Sequence, residues 1–191
     1  MNLKEFEPIT VSDTIYKNLL QDRIIYLNED ISTDTINTVV MPILMLNELE
    51  ADIPTDKLKP ITIYINSYGG EVDACTYTVE VIEKSRIPIH CRVLSMAASA
   101  ALYISIACHK RYGSKNSIFL LHKGSIHLAG NMGEAEDTID FYKQEVGSLF
   151  DDLILRRTKI DKDELKSIRR NETYCLGVDA LEKYGFIDEL I

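Results

Sequence analysis

The segment Ser95-Met96-Ala97-Ala98-Ser99-Ala100-Ala101 constrains this chain more than any other. It joins a β-rich stretch, Pro88 to Leu94, to an apolar one ending at Cys108. Small residues at such a junction let backbone approach backbone, so strand and helix pack closely there. The surrounding pattern alternates. Arg23 to Leu27 reads as a strand and Thr35 to Leu49 as a helix that Pro42 either kinks or deprives of one hydrogen bond. Ile61 to Ile65 is a strand that turns at Gly69-Gly70 into a helix through Val79 and Ile82. Pro88 to Leu94 is a third strand, Ala97 to Cys108 a buried helix, and Ser117 to Leu121 a fourth strand. This β-α-β-α-β order predicts crossover units on a largely parallel sheet, hence an α/β fold. Glu134 to Arg157 reads as a long amphipathic helix, and Asp161 or Asp163 starts another. His109 with Lys110-Arg111 reads as a surface turn.

Length and charge exclude several classes. The chain has 191 residues, enough for one domain with a substantial core. Its net charge is −9 and no basic block occurs, which argues against nucleic acid or an anionic membrane as partner. No apolar run reaches the length of a membrane span, and the first residues do not read as a secretory signal. Cys75, Cys91, Cys108 and Cys175 lie far apart without a Cys-x-x-Cys pair. They are expected to be reduced, buried thiols in a cytoplasmic or equivalent reducing compartment, with no metal and no cofactor.

Three signals carry chemistry in order. Tyr64-Ile65-Asn66-Ser67-Tyr68-Gly69-Gly70 ends a strand in a turn able to expose amides, since glycine has no Cβ to obstruct approach. Ser99 opens the apolar helix, whose positive end favours developing negative charge. Ile118-Phe119-Leu120-Leu121-His122 ends a strand in an imidazole, a group suited to accept and return a proton near neutral pH. A serine hydroxyl needs such a base and fixed donors for its oxyanion, and the amides of Gly70 and Ala100 are the natural donors. Each signal alone has a plainer reading: close packing for the alanines, a turn for Gly69-Gly70, a strand cap for His122. Their combination makes the chain a candidate serine hydrolase. A third, carboxylate member falls within Arg169-Arg170-Asn171-Glu172-Thr173-Tyr174, and spacing does not select it.

These segments resemble the proteolytic-subunit family of the Clp proteases (ClpP). The likeness runs from about Asp13 to Ile191. It is carried by Ile15 to Leu20 with Arg23 to Leu27, the Asn-Ser-x-Gly-Gly turn, Met96-Ala97-Ala98-Ser99, the strand into His122, the Gly130 to Asp137 helix entry, and Tyr184-Gly185-Phe186-Ile187-Asp188. The spacings from Gly70 to Ser99 and from Ser99 to His122 match the family without insertion. The resemblance implies a ClpP/crotonase-like fold: repeated β-β-α units form a head, and residues 124–158 form a protruding strand-helix handle. It implies one ClpP-like domain over residues 1–191, with residues 1–12 as an axial segment. It also implies two stacked heptameric rings that enclose the active sites and receive unfolded protein from an AAA+ unfoldase. Ser99 would be the nucleophile and His122 the base. Gly70 and Ala100 would form the oxyanion hole, and Gly69 with Gly124, Ser125 and Ile126 would hold extended substrate backbone.

The chain departs from that pattern. Aligned forward from Thr158, the third catalytic position is Glu172; aligned backward from Tyr184-Gly185, it is Thr173. Glu172 is favoured over Thr173 and Asn171, because a carboxylate can stabilise imidazolium. Tyr68 stands where proline is usual. Thr62, Lys84 and Arg92 stand where the unfoldase-docking pocket is apolar or aromatic. These departures keep a second reading open, a catalytically impaired structural subunit of a Clp ring. A crotonase-fold acyl-CoA enzyme is a third and remoter one.

Overall fold

The computed structural model describes residues 10–122, 124, 131–168 and 172–191. The chain runs through helix α1 (Val11–Gln21) and strand β1 (Ile24–Leu27) into α2 (Thr33–Thr35), a π-helical turn (Ile36–Val40) and α3 (Met41–Leu49), which form one continuous helix. Strand β2 (Ile61–Ser67), helix α4 (Val72–Lys84), strand β3 (Ile89–Ala98) and helix α5 (Ala100–Ala107) follow. Strands β4 (Lys110–Gly113) and β5 (Ile118–Leu121) lead to α6 (Met132–Phe141), a second π-helical turn (Tyr142–Val146) and α7 (Gly147–Arg157). Helix α8 (Lys162–Ile168), strand β6 (Thr173–Leu176), helix α9 (Gly177–Asp179) with a last π turn (Ala180–Tyr184), and strand β7 (Glu189–Leu190) complete it.

The sheet is mixed and mostly parallel, in the order β1-β2-β3-β4-β7, with β5 paired to β3 and β6 antiparallel to β5. This is the α/β architecture the alternation predicts. Strand β2 shows how sequence sets its faces. Ile61, Ile63, Ile65 and Ser67 point inward, while Thr62, Tyr64 and Asn66 are more exposed, the period of two expected of a sheet covered on one side. The inward residues join α4 and the wholly buried α5 in one apolar cluster. On the outer face Tyr26 stacks on Tyr64 at 5.4 Å, and the Arg92 guanidinium lies 5.3 Å from the centre of the Tyr112 ring.

Strand β3 pairs with β4 through residues 90–93 and with β5 through residues 96–98. Between these two pairings it slips against β2: Ile65 faces Val93, yet Ser67 faces Ala97. Buried Ser117 sits at this switch. Its hydroxyl donates to the Val93 carbonyl at 2.5 Å, and Ser114 N–H donates to the same oxygen at 3.2 Å. A carbonyl that leaves one ladder before the next begins is thereby satisfied.

Two local expectations are corrected. Ala97 and Ala98 belong to β3, paired with Phe119 and Leu120, and the helix begins only at Ala100. The alanines look helical by propensity, but ladder pairing outweighs a preference of less than about 1 kcal/mol per residue. Lys110-Arg111 is strand, not turn. Arg111 is buried, gripping the Asp188 carboxylate and donating to the carbonyls of Arg157 and Gly185. Pro42 lies inside this continuous helix, immediately after the π turn Ile36–Val40, and π turns are one of the places where a helix accommodates a missing N–H. All four cysteines are free and buried.

Candidate active site

Ser99 lies between β3 and α5 with φ +54° and ψ −122°. Among the described residues, Arg23 is the only other non-glycine with positive φ. Such a backbone costs about 1–3 kcal/mol and persists only where its surroundings enforce it. Here Ser99 N–H donates to Leu120 O at 2.9 Å, and Ser99 O accepts from Leu102 N–H at 3.0 Å. The residue is therefore held by β5 on one side and α5 on the other. Serine at a helix N-cap usually spends its hydroxyl on a first-turn amide. Ser99 occupies the N-cap of α5 without making that bond, so its hydroxyl is left for other work.

The Ser67–Gly70 turn packs directly on this corner. A Cβ placed on Gly69 would stand 2.7 Å from the Ser99 Cβ and 2.8 Å from Ala98 O, and Gly69 has φ +103°. A Cβ on Gly70 would stand 2.1 Å from Ile31 O. Both glycines are thus required by contact and by their positive φ, +154° at Gly70. Ile31 N–H donates to Gly69 O and Glu71 N–H donates to Ile31 O, at 2.8 and 2.7 Å. These bonds leave the Gly70 N–H outside the ladder. The Ala100 N–H heads α5, where first-turn amides have no acceptor within the helix. Tyr68, in the place of a proline, is exposed. Buried Ser67 stiffens the turn instead, its hydroxyl accepting from Gly69 N–H at 3.2 Å.

A cavity of about 330 Å³ opens beside the corner, and Ser99, His122, Gly70, Ala100 and Gly124 all line it. Gly69 lies behind the wall, buried against Ser99. Ser125, Ile126 and Asn171 lie outside the described residues. Ser99 and His122 are half-buried, and among the described residues no hydrogen bond joins them. Strand β6 bears on the third position. Leu121 faces Thr173 at the end of the antiparallel β5–β6 ladder. His122 follows and Glu172 precedes this last pair, so the two flank the same end of the ladder. Glu172 is exposed.

The opposite wall escaped sequence reasoning. It comes from α4, α5 and the long helix: Val72, Cys75, Tyr103, Tyr142, Lys143, Val146, Gly147 and Phe150. Tyr103 and Phe150 rings meet at 4.4 Å, and the Tyr142 hydroxyl donates to Asp73 Oδ1 at 2.9 Å. The bond to Asp73 and burial both hold the Tyr142 phenol above its ordinary range. The Cys75 thiol lies 3.3 Å from Ala100 O, and burial pushes it up to about 12. It is not a competing nucleophile. The helical spacing of Lys143, Val146, Gly147 and Phe150 was the available signal for this wall, but only tertiary packing turns that face toward Ser99. Among the described residues no group of three His, Cys, Asp or Glu side chains is placed to hold a metal ion.

The sequence profile of the Clp protease family matches residues 8–191. The chain is 30% identical over 181 residues to the ATP-dependent Clp protease proteolytic subunit 2 of Treponema pallidum (strain Nichols), covering 92% of this chain and 85% of that protein. It is also 30% identical over 180 residues to the ATP-dependent Clp protease proteolytic subunit 1 of Cutibacterium acnes (strain DSM 16379 / KPA171202), covering 92% and 80%.

Proposed function

The chain belongs to the Clp protease family, and we propose that it is the serine endopeptidase core of a self-compartmentalising protease. The observation that carries this reading is the shared cavity of Ser99, His122, Gly70 and Ala100. Ser99 Oγ attacks the scissile carbonyl while His122 takes its proton. The N–H groups of Gly70 and Ala100 receive the oxyanion, and the N-terminal end of α5 adds a favourable field. His122 then returns the proton to the leaving amine, and water releases the acyl group by the reverse sequence. Glu172 orients His122 and stabilises the imidazolium. The β5–β6 register supports it over Thr173.

The test is cleavage of fluorogenic peptides by the wild type and by Ser99→Ala, with fluorophosphonate labelling of the assembled protein. We expect a loss of about 10³-fold or more and labelling confined to Ser99. Equal rates in the two proteins would remove Ser99 from the mechanism.

The names of the matched relatives, each a subunit, support an assembled state, which we take to be two stacked seven-membered rings of this chain. Met132, Phe141 and Leu149 are exposed along α6 and α7 and supply apolar surface for a second copy. An unfoldase would feed the rings, although Thr62, Lys84 and Arg92 leave the outer face less apolar than a hydrophobic loop prefers. Four free cysteines fit a reducing compartment such as the cytoplasm. A second reading, a structural subunit with impaired catalysis, draws on the missing Ser99–His122 hydrogen bond and the exposure of Glu172. Rings that form without cleaving any peptide would decide for it.

A further inference from the structure

The wall of the cavity built by α4, α5 and the long helix is mostly apolar, and among the described residues its one cationic group is Lys143. Lys143 stands on it among Val146, Phe150 and Tyr103. Gly147, four residues further along the helix, lines the same cavity. Among the described residues Lys143 makes no ion pair: the salt bridges nearest in the chain are those of Arg156. Asp73 accepts from the Tyr142 hydroxyl and does not line the cavity. Lys143 is exposed at the cavity mouth, and among the described residues its ammonium has no anionic partner.

Resting on the serine-peptidase reading above, we propose that Lys143 makes this a pocket for an acidic side chain, favouring cleavage after glutamate. A glutamate at the residue whose carbonyl Ser99 attacks would lay its methylenes against Val146 and Phe150. Its carboxylate would then meet the Lys143 ammonium. The pair would form at the solvent-exposed edge of the cavity, where its contribution is modest and sensitive to salt. Glutamine has the same shape without the charge, so the comparison isolates the ion pair.

The experiment uses matched fluorogenic peptides ending in Glu, Gln, Leu or Lys before the reporter, on the assembled full chain. We expect kcat/KM for Glu to exceed that for Gln by about fivefold or more, with the ratio shrinking in high salt. Lys143→Arg keeps the ratio, Lys143→Met brings it to one, and Lys143→Glu turns the preference toward Lys. A wild-type ratio of one, or a ratio that survives Lys143→Met, overturns the proposal. Binding of the same peptides to Ser99→Ala, read by fluorescence polarisation, separates pocket from catalysis. Tighter binding of Glu than Gln without turnover in the wild type keeps the pocket and sinks the peptidase reading. Equal binding sinks the pocket.

Discussion

At the scale of single residues the site depends on contacts that tolerate no extra atom. Gly70→Ala would drive a methyl into the Ile31 carbonyl, and Gly69→Ala would drive one into Ser99 at a dihedral alanine avoids. We expect each to cost about 2–4 kcal/mol of stability in thermal melts. On the proposed mechanism, cleavage should fall by about 10²-fold or more where the fold survives, since the proposed oxyanion donor is displaced. The Gly-Gly pair was legible in the sequence because no other residue type serves such a turn. Cys75 was not, since a cysteine inside an amphipathic helix reads as core until α5 is seen to lie against it. Asp188 adds a pH signature. Burial alone would raise its pKa, but the hydrogen bonds and charge of Arg111 outweigh burial and hold it below the ordinary carboxylate range. A depressed pKa means the stabilisation is complete above the unfolded carboxylate's pKa and fades as pH falls through the folded one. The acid limb of stability should therefore flatten in Asp188→Asn, which should also cost about 1–2 kcal/mol at neutral pH, allowing for partial solvent screening. An unaltered acid limb in that variant would contradict this account.

At the scale of elements, the long apolar strands were legible because their β-branched residues recur with the sheet period. What the sequence hid were features created by pairing. Strand β6 takes its register from β5. Strand β4, with two basic residues in four, is a strand only because β3 and β7 flank it. The junction at Val93 is the sharpest case. Ser117→Ala should remove the hydroxyl that satisfies the Val93 carbonyl and leave Ser114 N–H alone there. We expect a loss of about 1–2 kcal/mol, read from chemical denaturation, with the urea dependence unchanged. A neutral substitution would show that the ladder switch does not rely on that bond.

At the scale of the whole molecule, exposed apolar residues on α6 and α7 mark where the proposed rings meet. Leu149→Glu, at a position 56% exposed in the isolated chain, should leave the folded subunit intact. It should shift sedimentation from a large assembly toward single rings or monomers, and peptide cleavage should fall with the assembly. Unchanged sedimentation would place the interface elsewhere. Ser99 and His122 were legible as candidates because one opens an apolar segment and the other ends one. The cavity that serves them was not, because its far wall comes from helices distant in sequence. One further consequence concerns the loop before α2. Ile31 is bonded through both its N–H and its carbonyl to the segment that carries the proposed oxyanion donor, Gly70. A saturation-mutagenesis map of the chain should accordingly show a band of intolerance at residues 30–32, far along the chain from every reacting group, as though that loop were a bearing on which one jaw of the cleft is mounted.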